Sequence, residues 1–117
     1  HVPDHMAFLS AVRTKGTYKL FHIPLERSLY KSWVPGRLAL STRRFGHIHF
    51  FDRNSALKTL GDAGYEVLDW SYTRCGIDCS QTLEAKLGRI PILAVCMLNE
   101  GLAARLFGAH SMMVLAR

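Results

Sequence analysis

In the segment PDHMAFLSAVRTKG, Met6, Leu9 and Val12 recur at spacings of three, and Phe8 and Ala11 widen the stripe. That spacing predicts a helix with one apolar face. Asp4 is a suitable N-cap, Arg13 and Lys15 suit the C-terminal end of the helix dipole, and Gly16 is a natural stop. In TYKLFHIPL, Tyr18, Leu20, Phe21 and Ile23 put apolar side chains on both faces, which predicts a buried parallel strand ended by Pro24. Residues 25–45 read as irregular and basic, broken by Pro35 and Gly36, with a short helix within LERSLYKSWV. Asp52 then caps a second amphipathic helix, whose stripe is Ala56, Leu57, Leu60 and Ala63 and whose C′ residue is Gly64. YEVLDWSYT reads as a strand and residues 74–91 as a variable excursion. ILAVCMLNEGLAARLFG reads as one long helix despite Gly101, and HSMMVLAR as a last strand. Alternation of this kind predicts an α/β domain with a mostly parallel sheet, of which three strands are legible.

The chain has 117 residues, enough for one small domain, and about half of them are apolar. No apolar run approaches the ~18–20 residues of a membrane span. The start, HVPDHMAFLS, lacks both a secretory pattern and an initiator methionine, so the expectation is a piece of a longer protein. The formal charge is +6. From Glu26 to Arg53, the bases Arg27, Lys31, Arg37, Arg43, Arg44 and Arg53 face only Glu26 and Asp52. Such a segment is a solvated basic loop or the footprint of an anionic partner. The cysteines Cys75, Cys79 and Cys96 are odd in number and not densely spaced, which fits reduced thiols in the cytoplasm. No second ligand cluster accompanies them, so no structural zinc is expected.

GHIHFF, residues 46–51, holds His47 and His49 at alternate positions. If the segment is extended, both side chains point the same way. A metal site there would need a third ligand, for which His22 is the natural candidate; the expectation is that none is bound. Imidazole titrates near neutrality, so His47 can also orient a nucleophile or take its proton. The competing reading makes these histidines scaffold or lid residues beside packed Phe50 and Phe51. His5 is expected to be exposed on the first helix, and His110 to be a structural histidine.

Three stretches together resemble class I S-adenosylmethionine-dependent methyltransferases. HVPDHMAFLSAVRTKGTYKLFHIPL is similar to that family's "EHVPDP…L..L.R.LKPGG.L…IP", GHIHFFDRNSALKTLGDAGYEVLDW to its "GHIRFF…L..LLEEAGFEV", and LFGAHSMMVLAR to its closing strand. The resemblance covers most of the chain, except residues 25–45 and 74–100. It implies a partial Rossmann-like α/β fold, with residues 1–117 as the C-terminal portion of one methyltransferase domain. The family's seven-stranded sheet runs 3-2-1-4-5-7-6 with strand 7 antiparallel. Thr17–Ile23 would then be strand 5, Tyr65–Tyr72 strand 6 and His110–Ala116 strand 7. His1 and Val2 would lie just past strand 4, which gives His1 a place near the cofactor.

The Gly-rich loop and the ribose-binding acid that would hold S-adenosylmethionine are not in the sequence: no G-x-G-x-G occurs. The chain would supply the substrate-side wall, with His22, His47 and His49 as substrate contacts and His47 as the candidate catalytic residue. The acceptor implied is a small molecule, and the basic segment points to an anionic or phosphate-bearing one; neither nucleic acid nor a membrane is an expected partner. With strand 4 absent, the edge of strand 17–23 is expected to pair with a second copy. The other reading is a non-catalytic basic α/β module that binds nucleic acid or a protein.

Overall fold

The computed structural model describes residues 2–36, 39, 43, 48–74, 83–108 and 110–117, with the backbone alone for 83–88. The described elements are helices α1 (His5–Arg13), α2 (Leu29–Trp33), α3 (Arg53–Asp62), α4 (Leu83–Leu98) and α5 (Glu100–Phe107), and strands β1 (Lys19–Leu25), β2 (Val67–Thr73) and β3 (His110–Ala116). The fold is mixed α/β, and its sheet has the order β1-β3-β2.

The amphipathic helices form where their caps and stripes lie. Asp4 accepts from the Ala7 backbone N–H at 2.9 Å and opens α1. Asp52 accepts from Ser55 N–H at 2.8 Å, and the Ser55 hydroxyl accepts in return from the Asp52 N–H at 2.9 Å, a reciprocal pair that satisfies two end donors of α3. Gly64 adopts φ +83° just past α3, and Arg13 fills the space where a Cβ would stand. The predicted long helix is two helices. The Asn99 side chain accepts from Leu102 N–H at 3.0 Å and caps α5, so it ends one helix and starts the next.

Both strand pairings are antiparallel, which corrects the expected mostly parallel sheet. β1 and β2 do run in the same direction, but β3 is inserted between them and opposes both. The register sets Phe21 opposite Val114 and Ile23 opposite Met112, with Trp70 and Tyr72 completing the two rows on β2. Those rows face α1 and α3. Leu9 from α1, Ala56 and Leu60 from α3, Tyr65, and Met112, Val114 and Ala116 from β3 form one buried cluster. Full burial of side chains such as Leu60, Met112 and Val114 contributes about 1.5–3 kcal/mol each. The Tyr65 hydroxyl donates to Leu9 O at 2.8 Å within this core and fastens α1 to the start of β2.

β1 is not buried on both faces as its apolar pattern predicts. Its burial alternates, and Leu20 is 64 % exposed. The helices that pack on the sheet cover one face, so the Leu20, His22 and Pro24 side stays open. Pro24 lies inside the strand rather than ending it, because β1 is an edge among the described residues and an edge tolerates a residue with no N–H. No described helix is long and apolar enough to cross a membrane.

Candidate functional site

Three adjoining hollows follow the carboxyl end and free edge of β1. The first is a cleft of about 400 Å³ between α1, the edge of β1, residues 48–51 and α3. Phe8, Phe21, Ile48 and Phe51 make it largely apolar, His5 and His49 bring their rings together there, and His22 also borders it. The His5 and His49 rings lie 4.3 Å apart between centroids, and Phe51 meets the His5 ring edge-on at 5.9 Å. His49 Nε2–H donates to the carbonyl of Val2 at 2.9 Å, because a carbonyl can only accept. That bond fixes the ring and leaves Nδ1 as the nitrogen not engaged by Val2.

The predicted site residues are therefore only partly gathered. His22 and His49 line one cleft, but the His22 ring reaches across β3 to within 3.2 Å of the Thr73 hydroxyl. His47 and His1 lie outside the described residues. His5, expected to be exposed, is half-buried against His49. The signal was present in sequence only as its place at the start of α1; its partner is more than forty residues away. Residues 48–51, which continue from His47, belong to no described helix or strand. Among the described residues no three His, Cys, Asp or Glu side chains come together as a metal cage.

The second hollow, about 440 Å³, sits where β1 ends, α3 begins and α5 passes. Its walls carry Arg27, Arg53 and Arg105, and between them Ser28, Asn54 and Tyr72. Arg53 is held in place from two sides: its Nε donates to Asn54 Oδ1 at 3.2 Å, and its guanidinium lies 5.5 Å from the Trp70 ring centroid. Asp52 also lines the wall, but its carboxylate caps α3. The backbone bond from Ser55 is the main reason its pKa is lowered, with Arg27 adding to the effect. A third, shallower hollow joins the two, since it shares Arg27 and Ser32 with the arginine pocket and His5, His49, Ile48 and Phe51 with the imidazole cleft. Of the basic stretch 26–53, Lys31 pairs with Glu26 at 3.7 Å, while Arg37 and Arg44 lie outside the described residues.

A separate polar pair is buried behind β3. Cys96 Sγ lies 3.4 Å from His110 Nε2, and both residues are almost fully buried. Burial raises the Cys96 thiol above its ordinary range and holds His110 below its own, with Glu100 and Arg74 exerting smaller, opposed effects. The pair is thus a neutral thiol beside a neutral imidazole, not the thiolate–imidazolium couple that nucleophilic chemistry needs. His110, expected to be a satisfied structural histidine, is buried as that reading requires, but its Nδ1 has no hydrogen-bond partner among the described residues.

Of the three positive-φ glycines among the described residues, Gly64 and Gly108 are closely backed by Arg13 and Ser28, and Gly36 has open space where a Cβ would stand. No protein-family model, curated protein or solved structure matches the chain significantly.

Proposed function

We propose that the chain is the C-terminal, acceptor-side part of an S-adenosylmethionine-dependent methyltransferase that methylates a small molecule. The observation that carries the reading is the strand order: a last strand, β3, inserted antiparallel between β1 and β2. That is the 5-7-6 arrangement which the sequence resemblance implies for these three segments, and it arises from backbone pairing rather than from residue likeness. The Rossmann-like assignment belongs to the same proposal. The cofactor would be held by residues outside this chain, so the chain's own role is to bind and orient the acceptor. The imidazole cleft, with His49 fixed by Val2, is the candidate wall beside the reacting group, and His47 precedes it by two residues. The free, buried Cys96 thiol supports a reducing, cytoplasmic setting.

The test is calorimetry with S-adenosylmethionine on this chain and on a protein extended through the upstream coding region. The extended protein is expected to bind at micromolar concentration and the chain alone weakly or not at all. In the extended protein, His49→Ala and His47→Ala should reduce turnover or acceptor affinity and leave cofactor affinity unchanged. An upstream region that encodes no strand ending in G-x-G-x-G, together with no cofactor binding by the extended protein, would end this reading.

A further inference from the structure

We propose that the pocket walled by Arg27, Arg53 and Arg105 binds the phosphate group of a small phosphate monoester. Three arginines line it from three separate places in the sequence: the loop after β1, the first residue of α3, and the last turn of α5. None of them is within ion-pair distance of a carboxylate among the described residues. Like charges gathered in a concave wall raise one another's energy unless an anion sits between them. Asp52 is the acid in that wall, and its oxygen is committed to the N-terminus of α3. The wall therefore keeps an excess of two positive charges, which matches the charge of about −1.5 to −2 on a phosphate monoester at neutral pH better than that of a carboxylate.

Shape points the same way. The hollow is a pocket of about 440 Å³ that includes the buried apolar residues Leu25 and Ala104, within the size range of small-molecule sites rather than a continuous basic stripe. Planar guanidiniums are suited to two-point recognition of phosphate oxygens. Arg53, braced by Asn54 and Trp70, is already ordered, so little freedom is lost when it engages. The shared wall at Arg27 and Ser32 lets a molecule anchored by phosphate extend its other end toward His49.

This deepens the proposed function by naming the acceptor's anchoring group. Anion binding is measured without S-adenosylmethionine, so its failure leaves methyl transfer standing, and failure of cofactor binding leaves the anion site standing. The experiment titrates phenyl phosphate, benzoate and a short single-stranded oligonucleotide into the chain, followed by calorimetry and amide NMR shifts. Phenyl phosphate is expected to saturate in the millimolar range or below, with shifts at Arg27, Asn54 and Arg105, and to bind more tightly than the other two. Loss of one charge-assisted partner weakens binding about tenfold or more, so Arg105→Gln should do so while the melting temperature holds, because that side chain is exposed. Arg53→Gln should weaken binding similarly, and Arg53→Lys less. Absence of saturation, equal binding of benzoate, or unchanged affinity in Arg105→Gln overturns the site. Tighter binding of the oligonucleotide with a steep salt dependence also overturns it, in favour of a nucleic-acid surface.

Discussion

Gly108→Ala is expected to destabilise the fold far more than a single added methyl group ordinarily does. Gly108 closes α5 at φ +63°, ψ +29°, and its N–H donates to Ala104 O at 2.9 Å. An L-residue in that left-handed region costs about 1–2 kcal/mol. The added Cβ would also stand 2.7 Å from the Cβ and Oγ of Ser28 and 3.4 Å from the carbonyl of Leu25. Ser28 cannot easily yield: it is 4 % exposed, and its hydroxyl accepts the Lys31 N–H that caps α2. Overpacking of that kind typically costs a further ~1–3 kcal/mol. The sum, about 2–5 kcal/mol, is a large share of the ~5–15 kcal/mol that holds a domain together. At roughly 4 °C per kcal/mol, the melting temperature should fall by about 8–20 °C.

Thermal and urea denaturation followed by circular dichroism measure this. The two contributions are separated by repeating Gly108→Ala in a Ser28→Gly background. With the side chain at 28 gone, the steric part should vanish and only the backbone cost of about 1–2 kcal/mol should remain. A loss below about 0.5 kcal/mol in the single variant, or equal losses in both backgrounds, would show that the α5–Ser28 contact is not as close as described.

Two further outcomes are expected. Burial holds the pKa of His110 below its ordinary 6.5. The unfolded chain therefore takes up a proton as pH falls through about 6.5 while the folded one does not. The stability contributed is complete above that pH and declines as pH falls toward the folded-state value. His110→Gln should flatten the decline in melting temperature between pH 7 and pH 5, and an unchanged slope would assign the acid sensitivity to other groups. The proposed pairing of β1 with a second β1 predicts a species larger than 13.2 kDa in light scattering, since Leu20 is 64 % exposed on a strand with one free edge among the described residues. A monodisperse monomer at high concentration would exclude it.

Local chemistry determined what was legible in the sequence. The spacing Met6, Leu9, Val12, the caps Asp4 and Asp52, and the Gly64 stop each act within one helical turn, and α1 and α3 formed where they pointed. HSMMVLAR, read as a last strand from its apolar run, is a strand over His110–Ala116. Only the tertiary structure decided what depends on residues far apart. The apolar pattern of β1 could not reveal that one of its faces stays open, since cover is supplied by α1 and α3 and not by the strand itself. The antiparallel insertion of β3 is a pairing between segments some ninety and forty residues apart, a matter of which edges meet rather than of local propensity. Arg27, Arg53 and Arg105 converge only because that pairing brings the end of β1, the start of α3 and the last turn of α5 to one corner. Sequence showed a basic stretch from 26 to 53 but could not separate Lys31, which pairs with Glu26, from the arginines that line a pocket.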